Sequence, residues 1–151
     1  MIKIRRYTSD QIYSRPDVVA RLKFLTNGGW GRLQIGSAFL EILQQELPDC
    51  DYFLAWDNGA IIGWALRQRV STLDYFFRAG SPLTYYDTMV RFQTGVYVKR
   101  DSRGMGIGTR LLERVKSFHG PSCSNLQGAP WNEEGRHLFR KAEIPIVDSW
   151  V

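Results

Sequence analysis

The segment Arg103-Gly104-Met105-Gly106-Ile107-Gly108-Thr109 places three glycines within five positions, shortly after a run of alternating apolar residues that ends at Val98. Glycine has no Cβ, so it adopts positive φ readily and lets a bulky ligand approach the main chain. Apolar residues then recur at steps of three and four, the pattern of an amphipathic helix. They are Ile107, Leu111, Leu112, Val115 and Phe118, and His119-Gly120-Pro121 ends the pattern. The sequence therefore predicts a strand, a glycine turn and a helix in succession.

The predicted helix offers its amino-terminal end to an external anion. Acidic residues are favoured in a first helical turn, yet the first one here is Glu113. Unpaired amides and a partial positive charge at a helix start suit a phosphate group. Arg103 and Arg110 are placed to add charge-assisted contacts to it.

Spacing excludes two common phosphate-binding motifs. A P-loop requires Gly-Lys-Ser/Thr at its end, and Gly108-Thr109 lacks the lysine. A dinucleotide-binding G-x-G-x-x-G motif would place Thr109 or Leu111 where its last glycine belongs. What remains is an Arg-x-x-Gly-x-Gly pattern between a predicted strand and a predicted helix.

That pattern, on Arg103, Gly106 and Gly108, resembles the pyrophosphate-binding motif of the GNAT superfamily of N-acetyltransferases, which reads Gln/Arg-x-x-Gly-x-Gly/Ala. The resemblance implies acetyl-CoA as co-substrate and no metal. Its pyrophosphate would contact the loop, and its pantetheine arm would pair with the preceding strand. The residues thereby assigned to the cofactor are Val96, Val98, Arg103, Gly104, Met105, Gly106, Ile107, Gly108, Thr109 and Asn132. Asn132 stands where the family frequently has a cofactor-side asparagine, and it is equally suited to start a helix.

The residues before the loop show strand and helix patterns in turn. A short strand at residues 2–5 precedes capping residues Thr8-Ser9-Asp10 and a helical region that Pro16 interrupts. Another helix is predicted from Ser37 to the residue before Pro48. The remaining predictions are strands at 52–56 and 60–70 joined by an Asp57-Asn58-Gly59 hairpin turn, a loop at 77–86 and a long strand at 90–98.

After the loop helix, the sequence predicts a strand at 122–126, a helix at 132–142 and a closing strand at 144–147. The whole order resembles the GNAT fold from end to end. The expected fold class is therefore α/β in the broad sense, an α+β arrangement with a central mixed, mostly antiparallel sheet flanked by helices. A chain of 151 residues suits one core, so residues 1–151 are predicted to form a single GNAT-like acetyltransferase domain.

The composition limits the expected partners and cellular location of the protein. Twenty Lys and Arg against fifteen Asp and Glu give a net charge of +5, but the basic residues are scattered, which favours a nucleic-acid partner only weakly. Cys50 and Cys123 are isolated, which indicates neither a zinc site nor a disulfide scaffold. No apolar run suggests a signal peptide or a membrane span. We expect a cytoplasmic protein without a membrane partner, for which a homodimer is compatible.

The resemblance also implies a mechanism, in which a primary amine attacks the thioester directly in a ternary complex. An amide near Val98 is the natural donor to the developing oxyanion. Many family members protonate the departing thiolate with a tyrosine, and Phe139 stands at that position here. Tyr97, His137 or water could supply the proton instead, so Val98 and Tyr97 are the catalytic candidates.

The acceptor amine is not identified by any motif. In this fold the first helical region and the loop before the long strand usually shape its pocket, which here implies Trp30, Tyr75, Phe76, Tyr85 and Tyr86. A small-molecule or protein amine fits equally. Two alternatives stay open: a non-catalytic regulator that binds acyl-CoA, favoured by Phe139, and an acetyltransferase acting on a nucleic-acid-linked amine, favoured by the basic charge.

Overall fold

The computed structural model describes residues 1–22, 50–70, 91–120, 126–128, 130 and 133–146. The strands are β1 (Ile2–Thr8), β2 (Cys50–Asp57), β3 (Ala60–Val70), β4 (Arg91–Val98) and β5 (Leu126–Gly128). The helices are α1 (Ser9–Tyr13), α2 (residues 16–22), α3 (Ile107–His119) and α4 (Glu133–Lys141), with a 3-10 turn at Arg100–Ser102. Among these described helices, none is long and apolar enough to cross a membrane.

Several predictions from the sequence fall outside the described residues. They are the helix from Ser37, the loop at 77–86, most of the strand at 122–126, Asn132, and the acceptor-pocket candidates Trp30, Tyr75, Phe76, Tyr85 and Tyr86.

Thr8 ends β1 and caps α1, which confirms the predicted capping cluster. Its Oγ1 accepts a hydrogen bond from the Gln11 amide at 3.3 Å, and its own amide donates to Gln11 Oε1 at 2.9 Å. This reciprocal pair is a capping box. The predicted interruption at Pro16 is also confirmed, because α1 ends at Tyr13 and α2 begins at the proline. Proline has no N–H and is tolerated only in a first helical turn.

The strands form one sheet in the order β1-β2-β3-β4-β5. Strands β1 to β4 pair antiparallel, and β5 pairs parallel to β4 through Phe92–Thr94 and Leu126–Gly128. A parallel pair needs a crossover, which α3 supplies. The predicted mixed, mostly antiparallel sheet is therefore confirmed.

The β2–β3 turn is the predicted hairpin. Asp57 pairs with Ala60, and the two residues between them, Asn58 and Gly59, have φ of 51° and 80°. Two central residues with positive φ are typical of a type I′ turn, whose twist matches that of the flanking strands.

Helices cover both faces of the sheet, because successive side chains of a strand point to opposite sides. The face that carries α1 and α2 is called the α1 face here, and its core includes Ile12, Val18, Leu22, Tyr52, Leu54, Trp64 and Tyr97. The opposite face, called the α3 face, buries α3 and α4 against the sheet. Its core includes Phe53, Ala55, Ile62, Val98, Ile107, Leu111, Leu112, Val115, Leu126, Phe139 and Ile144.

A charged cluster holds the carboxyl end of α3 against the sheet. Asp51, with a side chain only 11% exposed, accepts from Arg6 Nε and from Arg67 Nη1, each at 3.0 Å. Arg67 Nε in turn donates to His119 Nδ1 at 2.9 Å, and the Arg67 guanidinium lies 3.9 Å from the centroid of the Phe92 ring. Anchoring one end of α3 in this way fixes the position of its other end, beside β4.

The carboxyl-terminal segment departs from the prediction. Instead of a closing strand at 144–147, Ile146 forms a single parallel bridge with Gly128, and Val147 lies outside the described residues. Pro145 accepts from the Gly128 amide at 2.7 Å but has no N–H with which to extend a ladder. Glu143, with φ of 58°, turns the chain just after α4. Residues 144–146 therefore form a coil that buries Ile144 and makes a single bridge, not a strand.

Candidate functional site

The glycine turn between β4 and α3 has the geometry that its sequence predicts. Gly104 and Gly106 have φ of 83° and 77°, and a Cβ built at either position would meet nothing within 4 Å. Gly106 is the N-cap of α3. The turn is therefore left-handed at two glycines and open on its outer side.

The amino end of α3 leaves its first amides available to a ligand. Gly106 makes no side-chain cap, and the first turn holds no acidic residue. The Arg110 amide donates to the Gly106 carbonyl at 3.0 Å and so starts the helical ladder. The amides of Ile107, Gly108 and Thr109 precede that bond and have no partner within the helix. Together with the helix dipole, they form an anion-binding geometry.

Gly108 serves a different purpose from the other two glycines. It lies inside α3 and is buried, and its φ is not positive. A Cβ at this position would sit 2.9 Å from Leu138 Cδ1 on α4 and 3.6 Å from Val98 Cγ2 on β4. Its missing side chain therefore allows α4 to pack closely on α3, which corrects the expectation that all three glycines supply positive φ.

The carboxyl-terminal half of β4 presents main-chain groups to the space beside the loop. The Lys99 amide donates to the Ile62 carbonyl at 2.7 Å, on the β3 side. In an antiparallel pair such bonds alternate along the strand, so Tyr97 and Gly95 also point to β3 whereas Val96 and Val98 point away. β5 pairs only as far as Thr94. Beyond that residue β4 and β5 part, and Val96 and Val98 face the gap.

A cavity of about 700 Å³ occupies this gap. One wall is the end of β4 and the glycine turn, and the opposite wall is α4. The predicted site residues that line it are Val96, Tyr97, Val98, Arg103, Gly104, Gly106, Ile107, Gly108 and Thr109. Met105 is 59% exposed and does not line it, and Asn132 lies outside the described residues.

The Arg103 side chain lies along the cavity wall and contacts both β4 and α4. Its Nε donates to the Val98 carbonyl at 2.9 Å, and its Nη1 lies 3.6 Å from Glu134 Oε2 on α4. The side chain thus ties the end of β4 to the first turn of α4. Arg110, the other arginine expected near the anion, bonds the Ile2 carbonyl at 3.4 Å and so points towards β1, away from the loop.

Tyr97 is among the residues that line the cavity, but its side chain packs in the core of the α1 face. Its side chain is buried, and its ring stacks on Trp64 with centroids 6.0 Å apart. The Arg103 guanidinium lies 5.8 Å from the centroid of the Tyr97 ring. Burial raises the pKa of the Tyr97 phenol above its ordinary value, and the charge of Arg103 offsets only part of that rise. The phenol is therefore neutral at physiological pH, and its oxygen is fully buried.

Phe139 closes the base of the cavity. The ring is buried and lies directly over Gly128, where a Cβ would come within 2.6 Å of Phe139 Cε1. No hydroxyl is present on it to donate a proton. His137, on the same helix, is exposed and also lines the cavity.

Sequence reasoning placed Phe139 and His137 at the site but missed the other residues that complete its lining. Six further lining residues are Ser102, Pro130, Glu133, Glu134, Gly135 and Lys141, beside Leu138. Glu133 and Glu134 lie in the first turn of α4, where the helix dipole favours them.

The model of the acetyltransferase (GNAT) family matches residues 23–142. The chain belongs to the GNAT acetyltransferase family. No protein among the curated ones matches this GNAT sequence.

Solved GNAT structures share the fold at low sequence identity. A predicted acetyltransferase from Clostridium acetobutylicum, solved with acetyl-CoA, is 21% identical, with a TM-score of 0.55 over 100% of this chain and 94% of that chain. AAC(6')-Iy, in complex with the bisubstrate analogue CoA-S-monomethyl-acetylneamine, is 16% identical, with a TM-score of 0.60 over 100% and 95%. Glucosamine-6-phosphate N-acetyltransferase from Arabidopsis thaliana is 14% identical, with a TM-score of 0.55 over 95% and 91%. At these identities the likeness establishes the fold.

Proposed function

We propose that this GNAT chain is an acetyl-CoA-dependent N-acetyltransferase that moves the acetyl group to a primary amine by direct attack in a ternary complex. The observation that carries the proposal is the cavity between β4 and α4, which ends at the uncapped amino terminus of α3. A glycine turn, available helix amides and an unpaired strand edge lie in one continuous space. That combination suits a donor with a diphosphate at one end and a chain of amides at the other.

The described residues fit such a donor. The amides of Ile107, Gly108 and Thr109 would hold the diphosphate, with Gly104 and Gly106 allowing close approach. Main-chain groups of Val96 would pair with the amides of the pantetheine arm, as an added strand does. When bound, acetyl-CoA supplies the activated acyl carbonyl. A cavity of about 700 Å³ lies within the range of cofactor sites.

Val98 is proposed as the main-chain donor to the negative charge that develops on the acyl oxygen. Its carbonyl is taken by Arg103, and its N–H is the main-chain donor of this residue on the cavity side. A fixed dipole in a desolvated site stabilises such charge without reorganisation. Arg103 is thus a positioning residue, because it sets the orientation of the Val98 peptide.

Tyr97 is proposed as the proton donor to the departing thiolate, in the role that Phe139 cannot fill. The residue is part of the cavity wall and burial keeps its phenol protonated at neutral pH, but the proton would have to pass to the cavity from an oxygen buried on the α1 face. His137 is exposed at the rim, which makes it a weaker candidate because solvent competes for its proton.

The acceptor is proposed to be a primary amine on a small molecule or a protein. The names of the solved relatives point to different amines, on an aminoglycoside analogue and on an amino-sugar phosphate. The fold therefore does not select among them, which agrees with the rule that specificity resides in the site. The proposal takes the protein to act as a single GNAT domain over residues 1–151.

Phe139 favours one alternative, a regulator that binds acyl-CoA without turnover. A thiol-release assay separates the two functions, with acetyl-CoA and a panel of amines that includes aminoglycosides, amino sugars and peptide amines. Amine-dependent release above the hydrolysis background supports the enzyme, and Tyr97→Phe should reduce it. Saturable acetyl-CoA binding in calorimetry with no release for any amine supports the regulator. Absence of binding would refute both.

A further inference from the structure

A second cavity, of about 550 Å³, lies far from the glycine turn, on the α1 face at the opposite edge strand of the sheet. Lys3, Arg5 and Tyr7 stand at alternate positions of β1 and therefore point to the same side of the sheet. Lys3 is paired across the strands with Trp56. Met1, Arg15, Asn58 and Gly59 complete the lining. This surface is called the β1 groove below.

The β1 groove is strongly cationic. Lys3, Arg5 and Arg15 are exposed, and no acidic side chain of the described residues lines the groove. Arg15 contacts Asp17 at 3.5 Å, but both side chains are about half exposed, so the pair is weak. Neither Lys3 nor Arg5 makes an ion pair within the described part of the chain. Lys3 and Arg5 thus lie side by side without an ion-pair partner among the described residues, and Arg15 beside them has only a weak one.

Two aromatic rings lie among these charges. Tyr7 and Trp56 are half-buried, packed on one side against the α1-face core. The core holds the rings in place, so their remaining surface is a rigid platform. Aromatic platforms interleaved with cations suit bases that stack and phosphates that pair. Acidic peptides would use the charges but gain nothing from the rings.

The walls of the β1 groove are fixed before any ligand arrives. The Arg15 amide donates to the Ile12 carbonyl at 3.0 Å, and the Arg15 carbonyl accepts from Val18 and Val19. Arg21 Nη1 on α2 donates to the Gly59 carbonyl at 3.0 Å, which holds the helix to the hairpin turn. A preformed site loses little entropy when it binds.

We infer that the β1 groove binds single-stranded nucleic acid, with one base against Trp56 or Tyr7 and neighbouring phosphates on Lys3, Arg5 and Arg15. The inference is independent of the acetyltransferase proposal, since the two cavities share no lining residue.

Fluorescence anisotropy of a short labelled oligothymidylate tests the inference, with the full chain saturated by CoA so that the first cavity is occupied. We expect saturable binding at low salt, with log Kobs falling against log salt at a slope of about −2, since each single-strand phosphate contact contributes about −0.7. Lys3→Glu/Arg5→Glu should remove about 1.4 of that slope. The matched control is Arg140→Glu against Arg5→Glu, because Arg140 is exposed on α4 and lines neither cavity.

A second pair of variants tests stacking. Trp56→Leu should weaken binding about fivefold or more, whereas Trp56→Phe keeps a ring and should retain most of it. Several results would overturn the inference: no binding at low salt, equal binding by Arg5→Glu and Arg140→Glu, or equal competition by polyglutamate. Displacement by a mononucleotide at concentrations near the oligonucleotide Kd would also overturn it. Calorimetry with CoA reports separately on the first cavity, so failure of one function is distinguishable from failure of the other.

Discussion

Two glycines with the same backbone conformation allow folding and cofactor binding to be separated. Gly106 in the loop and Gly59 in the hairpin turn have φ of 77° and 80°. A Cβ added to either would meet no protein atom within 4 Å. Only Gly106 lines the cavity next to α3. We therefore predict that Gly106→Ala and Gly59→Ala lose similar stability and that only Gly106→Ala weakens CoA binding.

The stability term follows from the backbone alone. An L-residue in the left-handed region costs about 1–2 kcal/mol, and neither methyl group adds a steric term within the protein. For a chain of this size that corresponds to a fall in Tm of about 2–8 °C. The two variants should agree with each other within about 0.5 kcal/mol.

The binding term follows from the ligand. A methyl group at Gly106 projects into the open side of the turn and would push a diphosphate away from the α3 amides. Losing one hydrogen bond to a charged group costs about 1.5–3 kcal/mol, which raises the Kd for CoA about 10- to 100-fold. Gly59→Ala should leave that Kd unchanged.

Urea unfolding measures the loss of stability in each variant. Isothermal titration with CoA, well below both melting temperatures, measures the loss of affinity. Wild-type affinity in Gly106→Ala, with the expected loss of stability, would refute the assignment of the loop as the diphosphate site. Equal loss of affinity in both variants would show that destabilisation, not the loop, controls binding.

Three further predictions concern buried groups. Tyr97→Phe should lower kcat about 100-fold. Burial raises the Tyr97 pKa above 10. The stability that depends on its neutral form is therefore present below pH 10 and is lost as pH rises through the folded-state pKa. A fall of kcat below pH 10 that disappears in Tyr97→Phe would contradict the assignment, because the phenol should stay protonated over that range. Burial raises the pKa of Cys50 to about 12. In a Cys123→Ser variant, a thiol reagent at neutral pH should therefore react with Cys50 only when the protein unfolds. Rapid labelling of the native protein would contradict the burial of Cys50. Gly128→Ala forces a methyl group into the Phe139 ring and should cost about 1–3 kcal/mol in urea unfolding, and adding Phe139→Leu should recover part of it.

Local patterns in the sequence predicted most of the described elements. The capping residues at Thr8, the break at Pro16 and the Asp57-Asn58-Gly59 turn all depend on neighbouring residues, and the structure confirms each. The closing strand at 144–147 was wrong because its apolar residues suggested pairing, whereas Pro145 removes a donor from the ladder. Apolar content alone does not distinguish a strand from a buried coil.

Some features of the candidate site were predictable from the local sequence and others were not. A glycine turn ahead of an uncapped amphipathic helix is legible from Arg103 to Thr109, since φ preference and helix periodicity act over a few residues. The positions of Glu134 and Lys141 on α4 were not legible, because contact between α4 and the loop joins residues about thirty positions apart and depends on how both helices pack on the sheet.

By itself, then, the sequence determined the glycine turn before an uncapped helix, the hairpin and most of the described strands and helices, because these follow from local backbone preferences and side-chain periodicity. Only the tertiary structure decided that Gly108 makes room for Leu138, that Arg103 holds the Val98 carbonyl and that the Tyr97 ring is buried on the α1 face. It also brought the scattered basic residues of β1 and the α1–α2 turn into one groove. Each of these depends on contacts between segments distant in the chain, which packing determines and local sequence does not encode.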